Sequence, residues 1–452
     1  MRPHQSSKTA QYRYRLGLRY QYLSRIARVH FLRLLLKICL AVFWIEAVIR
    51  PLPKRDHKNI LVMVIGGLGD CLLFDPLFRR LKERWPGARI DVISGSFEQM
   101  WALMASVDNL ILFTPTKFKP PWAYIKLFRT IYRNQYDLVA EGIAFLPKRG
   151  IYPIFTSLVF SASRAPIRIG RPNVGHIGKM RIREMGFVGR EEMRSGRNRR
   201  NHSTNPFITH TLQLVPPESR SAHESAYIFE PLGMPFHRRP DEPALVADPP
   251  NDIWAADRLA QHWPTDRRPL VGVTLETTRS IKSWPLENYV AIIESGIRDG
   301  YRFLLLGLDR DLSRKVSQRF SQEMVLDVSG QTTLAQMIAL IRQCHVFVSG
   351  DTGPSHIAQA CRVPTVVLFG PSNEREFGPM DADLHTLMLP PEKLSCRPCV
   401  LGPCVRGRSC IRSIRPVDVY EALKEKVAQS TNGTHSRPQP LRGTPQRILC
   451  VI

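Results

Sequence analysis

Residues 346–373 read VFVSGDTGPSHIAQACRVPTVVLFGPSN. Two continuous apolar runs, HVFVS and TVVLFGPS, enclose an acid, a threonine, a glycine and a histidine: Asp351, Thr352, Gly353 and His356. Short apolar runs without alternation are the pattern of parallel strands buried on both faces. Pro354 suits the first turn of a helix, where its missing N–H costs nothing. The stretch therefore predicts strand, helix and parallel strand, with a helix N-terminus at the carboxyl end of the first strand. Ordinary capping would use these residues, and so would an anion site, because the backbone N–H groups around Thr352, Gly353 and Ser355 are unpaired in either case. Such a turn suits a diphosphate. The Asp351 carboxylate suits sugar hydroxyls instead, and His356 is a possible phosphate donor, although a lone helical histidine is more often structural.

The same rhythm extends outward. PLVGVTL, YRFLLLGL and MVLDVSG read as strands, and WPLENYVAIIESGIRDG, a polar segment around Ser313–Glu323 and LAQMIALIRQC read as helices. Nearer the start, NILVMVIGG, ARIDVISG, NLILFTP and YDLVAEG read as strands, with one helix over DCLLFDPLFRRLKERWPG. Two consecutive alternations with no short internal repeat predict an α/β protein of two Rossmann-like domains facing a central cleft. The expected layout is a basic extension over 1–55, a first domain over 56–235 and a second over 240–428. PLGMPFHRRPDEP links the two domains. A loose tail covers 429–452, and long polar, basic loops form an insertion over 164–223.

The chain has 452 residues and a net charge of +25. Residues 1–58 hold 13 basic and 2 acidic side chains, and residues 164–200 hold 11 and 3, so these two segments supply 19 of the 25 excess charges. Local patches of this kind suit phosphate-bearing partners or an anionic membrane surface. Confinement of the charge to two segments, without any nucleic-acid module, argues against nucleic acid as a partner. No cleavable signal peptide is expected. FLRLLLKICLAVFWIEAVIR (31–50) is interrupted by Arg33, Lys37 and Glu46, which favours a basic helix lying in the membrane interface over one that spans it.

Two further spots carry chemistry. GGLGD sets Gly66, Gly67 and Gly69 between a buried strand and a helix, with Asp70 at the helix start. The bland reading is capping or dinucleotide binding. NAD is disfavoured, because G-x-G-x-x-G is incomplete and the second strand ends in Ser94-Gly95-Ser96 rather than an acid. A carboxylate held ionised at a helix N-terminus facing a cleft is a candidate general base. In ETTRSIKSWP, Thr277, Thr278 and Lys282 offer hydroxyls, N–H groups and a mobile cation, the parts of a phosphate cradle, or simply a polar loop.

Taken together, GGLGDCLLFDPLFRRLKERWPGARIDVI, ETTRSIKSWP, RIG (168–170), SGDTGPSHIAQACRVPTVVLFGPS and IRPVDVYEAL resemble the family 9 glycosyltransferases, the lipopolysaccharide heptosyltransferases and their relatives, over roughly residues 58–425. The resemblance implies a GT-B fold, with acceptor bound mainly by the first domain and nucleotide sugar by the second. It also implies inverting transfer, typically of heptose from ADP-heptose, onto a lipopolysaccharide core. By motif match it makes Asp70 the general base. It gives the diphosphate to Thr277, Thr278 and Lys282, to the Asp351-Thr352-Gly353 turn and to His356. Positive charge on the leaving diphosphate is then supplied without a metal or other cofactor, and no acidic DxD-like metal site is evident. The implied partners are the nucleotide-sugar donor, a phosphorylated glycolipid acceptor met by the basic insertion, and an anionic membrane. The implied location is the inner face of the cytoplasmic membrane. The alternative is a non-catalytic nucleotide-sugar or glycolipid binding protein on the same scaffold. Cys396, Cys399, Cys404 and Cys410 leave three readings open: a structural zinc, a disulfide, or thiols that are simply packed.

Overall fold

The computed structural model describes residues 59–114, 119–144, 151–170, 208–212, 223–234, 244–391, 394–399, 404, 406–407, 409–431 and 447–451, with Leu34 and Ile38. The first half opens with β1 (Asn59–Ile65), α1 (Leu68–Leu72), α2 (Asp75–Arg84), β2 (Arg89–Ser94) and β3 (Asn109–Leu112). It continues with α3 (Pro121–Asn134), β4 (Leu138–Ala144), α4 (Ile151–Ser163), β5 (Ile167–Gly170) and β6 (His210–Thr211). The second half runs α5 (Pro249–His262), β7 (Leu270–Thr274), α6 (Leu286–Arg298), β8 (Arg302–Leu306), α7 (Arg310–Ser317) and β9 (Val325–Asp327). It ends with α8 (Leu334–Gln343), β10 (Val346–Gly350), α9 (Gly353–Ala360), β11 (Thr365–Leu368), β12 (His385–Met388) and α10 (Pro416–Thr431). A last strand, β13 (Arg447–Val451), returns to the first half.

Two parallel sheets result, ordered β13-β3-β2-β1-β4-β5-β6 and β12-β11-β10-β7-β8-β9. The apolar runs are buried on both faces. In β1, Leu61, Met63 and Ile65 pack with Tyr124 and Leu127 of α3 and Phe155 of α4. The intervening Ile60, Val62 and Val64 join a core shared with the second half, which includes Leu304 and Leu306 of β8 and Ile338 and Ile341 of α8. Backbone bonds stitch the halves at one crossing: Leu245 N–H donates to Ala360 O (3.1 Å) and Val246 N–H to Leu103 O (2.7 Å). Ala244 N–H donates to Asp75 Oδ2 at 3.0 Å. Burial pushes the Asp75 carboxyl upward, against the opposing pull of Arg79 and Ser106.

Several expectations change. The helix read over DCLLFDPLFRRLKERWPG is two helices, α1 and α2, because Pro76 is accommodated only in the first turn of a new helix. The polar helix around Ser313–Glu323 is shorter and earlier, as α7. The stretch read as loops over 164–223 holds β5 and β6, and the tail read as loose holds β13, which pairs in parallel with β3. The interfacial helix over 31–50 lies outside the described residues except for Leu34 and Ile38, which are helical and exposed. The insertion over 171–207 lies outside them too. No helix among the described residues is long and apolar enough to cross a membrane.

Candidate active site

In a doubly wound sheet, ligands collect at the carboxyl ends of strands where the strand order reverses. In the first sheet that point lies between β1 and β4, and Gly66–Asp70 follow β1. In the second it lies between β7 and β10: Thr277–Lys282 follow β7, and Asp351–Gly353 follow β10. All three stretches singled out from sequence therefore stand at the two reversal points, and the reversal points face each other. A Cβ added to Gly69 would lie 2.4 Å from Cδ2 of His356, and one on Gly353 would lie 3.1 Å from Cδ2 of Leu68. The N-termini of α1 and α9 touch across the cleft, so the residue beside Asp70 packs on the ring of His356.

Asp70 is the third residue of α1, not its N-cap. Its Oδ2 accepts from Gly67 N–H at 2.8 Å, which fixes one side of the carboxylate. Oδ1 faces Nε2 of His223 at 3.5 Å, an electrostatic approach too long for a good hydrogen bond. His223 is buried, with its ring edge-on to Phe74 from the first half and to Phe377 from the second. Its Nδ1 accepts from Ser225 N–H (3.3 Å), so the ring proton belongs on Nε2, the nitrogen aimed at Asp70. That Nε2 has no hydrogen-bond partner among the described residues. Ser225 Oγ in turn donates to Leu73 O (2.8 Å), tying this turn to the end of α1. Sequence reading missed His223. It precedes a four-residue 3₁₀ turn, Glu224–Tyr227, with no periodicity to flag it.

On the other wall Lys282 Nζ lies 2.5 Å from Asp351 Oδ2, and Nε2 of His356 lies 3.7 Å from Asp351 Oδ1. Asp351 is 5% exposed. Burial alone would raise its carboxyl, but the facing His356 and the Lys282 ammonium hold it well below the ordinary 3.8. Its oxygens are thus turned to Lys282 and His356, a counter-ion arrangement rather than an open acceptor for sugar hydroxyls. Nδ1 of His356 is buried without a hydrogen-bond partner among the described residues.

The hydroxyl of Thr277 is tied into its own loop, donating to Arg279 O (2.8 Å) and sharing a bond with Ser283 Oγ (2.9 Å). Thr278 is exposed. Trp284 Nε1 donates to Ile414 O (3.0 Å) and anchors the far end of this loop. Glu276, also missed, accepts from the backbone N–H groups of Leu308 (2.5 Å) and Asp309 (2.6 Å), joining the loops after β7 and β8.

Cys396, Cys399, Cys404 and Cys410 form no disulfide. Among the described residues no group of three or more His, Cys, Asp or Glu side chains is placed to hold a metal ion, so the zinc reading finds no geometric support there.

Comparison with known proteins adds a second line. The family description Glycosyltransferase family 9 (heptosyltransferase) matches residues 245–406. Lipooligosaccharide heptosyltransferase 2 of Haemophilus influenzae is 30% identical over 332 residues, covering 71% of this chain and 86% of that protein. For lipooligosaccharide heptosyltransferase 2 of Campylobacter jejuni the match is 25% over 155 residues, 32% of this chain, and spans about half of that protein (47%). Two solved structures share the fold. The ADP-heptose LPS heptosyltransferase II of E. coli gives a TM-score of 0.59 at 20% identity, over 83% of this chain and all (100%) of that one. The family 9 glycosyl transferase of Veillonella parvula gives 0.61 at 19% identity, over 83% and 99%. The architecture is GT-B, two Rossmann-like domains around a cleft. With a 30% relative aligned over most of its length and the family's own description matched, the chain belongs to glycosyltransferase family 9, the heptosyltransferase family.

Proposed function

We propose that the protein transfers heptose, with inversion, from ADP-heptose to a phosphorylated lipopolysaccharide core acceptor displayed at a membrane. The observation that carries this reading is the opposition of Asp70, held by Gly67, to the Lys282–Asp351–His356 cluster across one cleft.

Displacement at an anomeric carbon requires a base for the acceptor hydroxyl and positive charge on the departing diphosphate. Asp70 takes the proton at its carboxylate. His223 positions that carboxylate from the Oδ1 side, at 3.5 Å. Lys282 and the Gly353 N–H at the start of α9 receive the diphosphate, with Thr277 and Thr278 lining the same loop end; the neighbouring Ser355 N–H already donates to Thr352 O (3.1 Å). Asp351 holds the Lys282 ammonium in place through their 2.5 Å contact. In this reading the leaving group needs no metal ion, so EDTA leaves transfer unchanged.

Relatives whose names carry ADP-heptose or lipooligosaccharide support the choice of donor and acceptor. Thermal unfolding with ADP-, GDP- and UDP-sugars tests the donor: an ADP-sugar raises the midpoint and the others leave it within error, because only a ligand of the native state stabilises it. Stabilisation by a UDP- or GDP-sugar alone would overturn the nucleotide assignment.

A further inference from the structure

Helix α3 has a face that the catalytic reading leaves unused. Its inner side is ordinary: Ala123, Tyr124, Leu127 and Ile131 are buried against the first sheet and α4. Its outer side exposes large apolar groups, Trp122 at 62%, Ile125 at 63% and Tyr132 at 45%. Lys126, Arg129 and Arg133 are exposed on the same side. Spacings of three and four put Trp122, Ile125 with Lys126, Arg129, and Tyr132 with Arg133 on one stripe of the helix. The guanidinium of Arg164 lies 5.9 Å from the Tyr132 ring and extends the basic edge. The helix, PWAYIKLFRTIYRN, contains no acidic residue.

We infer that this stripe is a docking surface for an anionic lipid bilayer, with α3 lying in the plane of the interface. An exposed tryptophan, isoleucine and tyrosine interleaved with cations and no acids is the chemistry of an interfacial helix. The aromatic rings sit at headgroup level and the cations meet lipid phosphates. A second copy of this chain is a poor occupant. Two such stripes facing each other bring like charges together, in a chain that already carries +25.

Position supports the same occupant. The sheet is parallel, so the segment leaving β3 and the segment leaving β1 emerge at the same edge. Trp122 and Ile125, in the first turns of α3, therefore stand at the edge that carries Asp70. α3 packs on the sheet face opposite α1, so a bilayer on this stripe meets the outer face of the first domain at the edge where Gly66–Asp70 leave β1. Only the consequence, that a lipid-borne acceptor enters from that bilayer, rests on the proposed function; the docking surface itself does not.

The test uses the full chain and no sugar substrate. Vesicles of phosphatidylglycerol and phosphatidylethanolamine are compared with phosphatidylcholine vesicles by cosedimentation. Tryptophan quenching by brominated lipid reports insertion. The chain should bind the anionic vesicles and be quenched there, with Trp122→Phe removing a distinct part of that quenching. Arg129→Glu with Arg133→Glu should weaken binding by at least about 25-fold, since each cation near an anionic surface is worth roughly fivefold; separately, Trp122→Ala with Ile125→Ala should weaken it on the order of tenfold by removing apolar area from the interface. All four positions are exposed, so unchanged unfolding midpoints are expected and separate docking from misfolding. Equal quenching of wild type and Trp122→Phe would overturn the inference, as would unchanged binding in both double variants. Sedimentation velocity showing that these substitutions dissolve a dimer without touching vesicle binding would assign the stripe to a second copy and overturn it too.

Discussion

His223 Nε2 stands 3.5 Å from Asp70 Oδ1, while the opposite oxygen of the same carboxylate is held by Gly67 N–H at 2.8 Å. The histidine is 2% exposed and the aspartate 14%, so this pair meets little competing water. One oxygen is fixed by the helix's own backbone and the other is watched by a side chain wedged between Phe74 and Phe377. Because those two rings come from the two halves, the packing of the halves against each other sets where His223 stands.

Replacing His223 separates orientation from binding. His223→Phe should lower kcat by about a hundredfold, the scale of a misplaced reacting group, with the KM for donor little changed. His223→Gln restores an N–H near the position of Nε2 and should recover most of the loss. Equal damage in both variants, or a loss confined to the unfolding midpoint, would make the residue a packing element only.

Gly69→Ala sets two effects against each other. Alanine is favoured over glycine inside a helix by about 1 kcal/mol. The new Cβ, however, would stand 2.4 Å from His356 Cδ2 and 3.0 Å from Nε2. Overpacking of that kind costs about 1–3 kcal/mol, and His356 is itself held in the cluster with Asp351, so the clash should win. A lower unfolding midpoint and weaker stabilisation by donor are expected. A higher midpoint would mean that the two helix ends can part without cost.

Asp351 sets a pH dependence. Its carboxyl titrates below the ordinary 3.8 because Lys282 and His356 outweigh its burial. A depressed acid stabilises the fold above the unfolded value and loses that contribution as pH falls through the folded one. Asp351→Asn should therefore be less stable than wild type, by about 3 kcal/mol as for other broken buried pairs. The gap should be constant from neutral pH down to about 4 and close only below it. Denaturant midpoints across that range read the gap directly; one that closes near neutrality would contradict the ion pair.

The sheets were legible because strands buried on both faces must be apolar throughout, as NILVMVI and VFVSG are. The strand–helix junction at Asp351–Pro354 was legible because proline suits the first turn of a helix that follows a buried strand. The break between α1 and α2 was within reach of physics, since Pro76 cannot sit inside a helix. RILCV reads as nothing by itself and becomes a strand only beside β3. The same holds at the site. Lys282 and Asp351 were each visible, but their pairing across 69 positions was not. His223 gave no local signal, and its tether to α1 through Ser225 spans 152 positions.

Kinetics and donor binding measured together on Asp70→Ala test the assignment of the base most directly. The substitution should abolish transfer, by a factor of about 10²–10⁴, while the rise in unfolding midpoint with ADP-sugar stays that of the wild type, because the proposed donor site lies on the opposite wall. Transfer retained within about threefold would remove Asp70 from the chemistry and contradict the proposed mechanism.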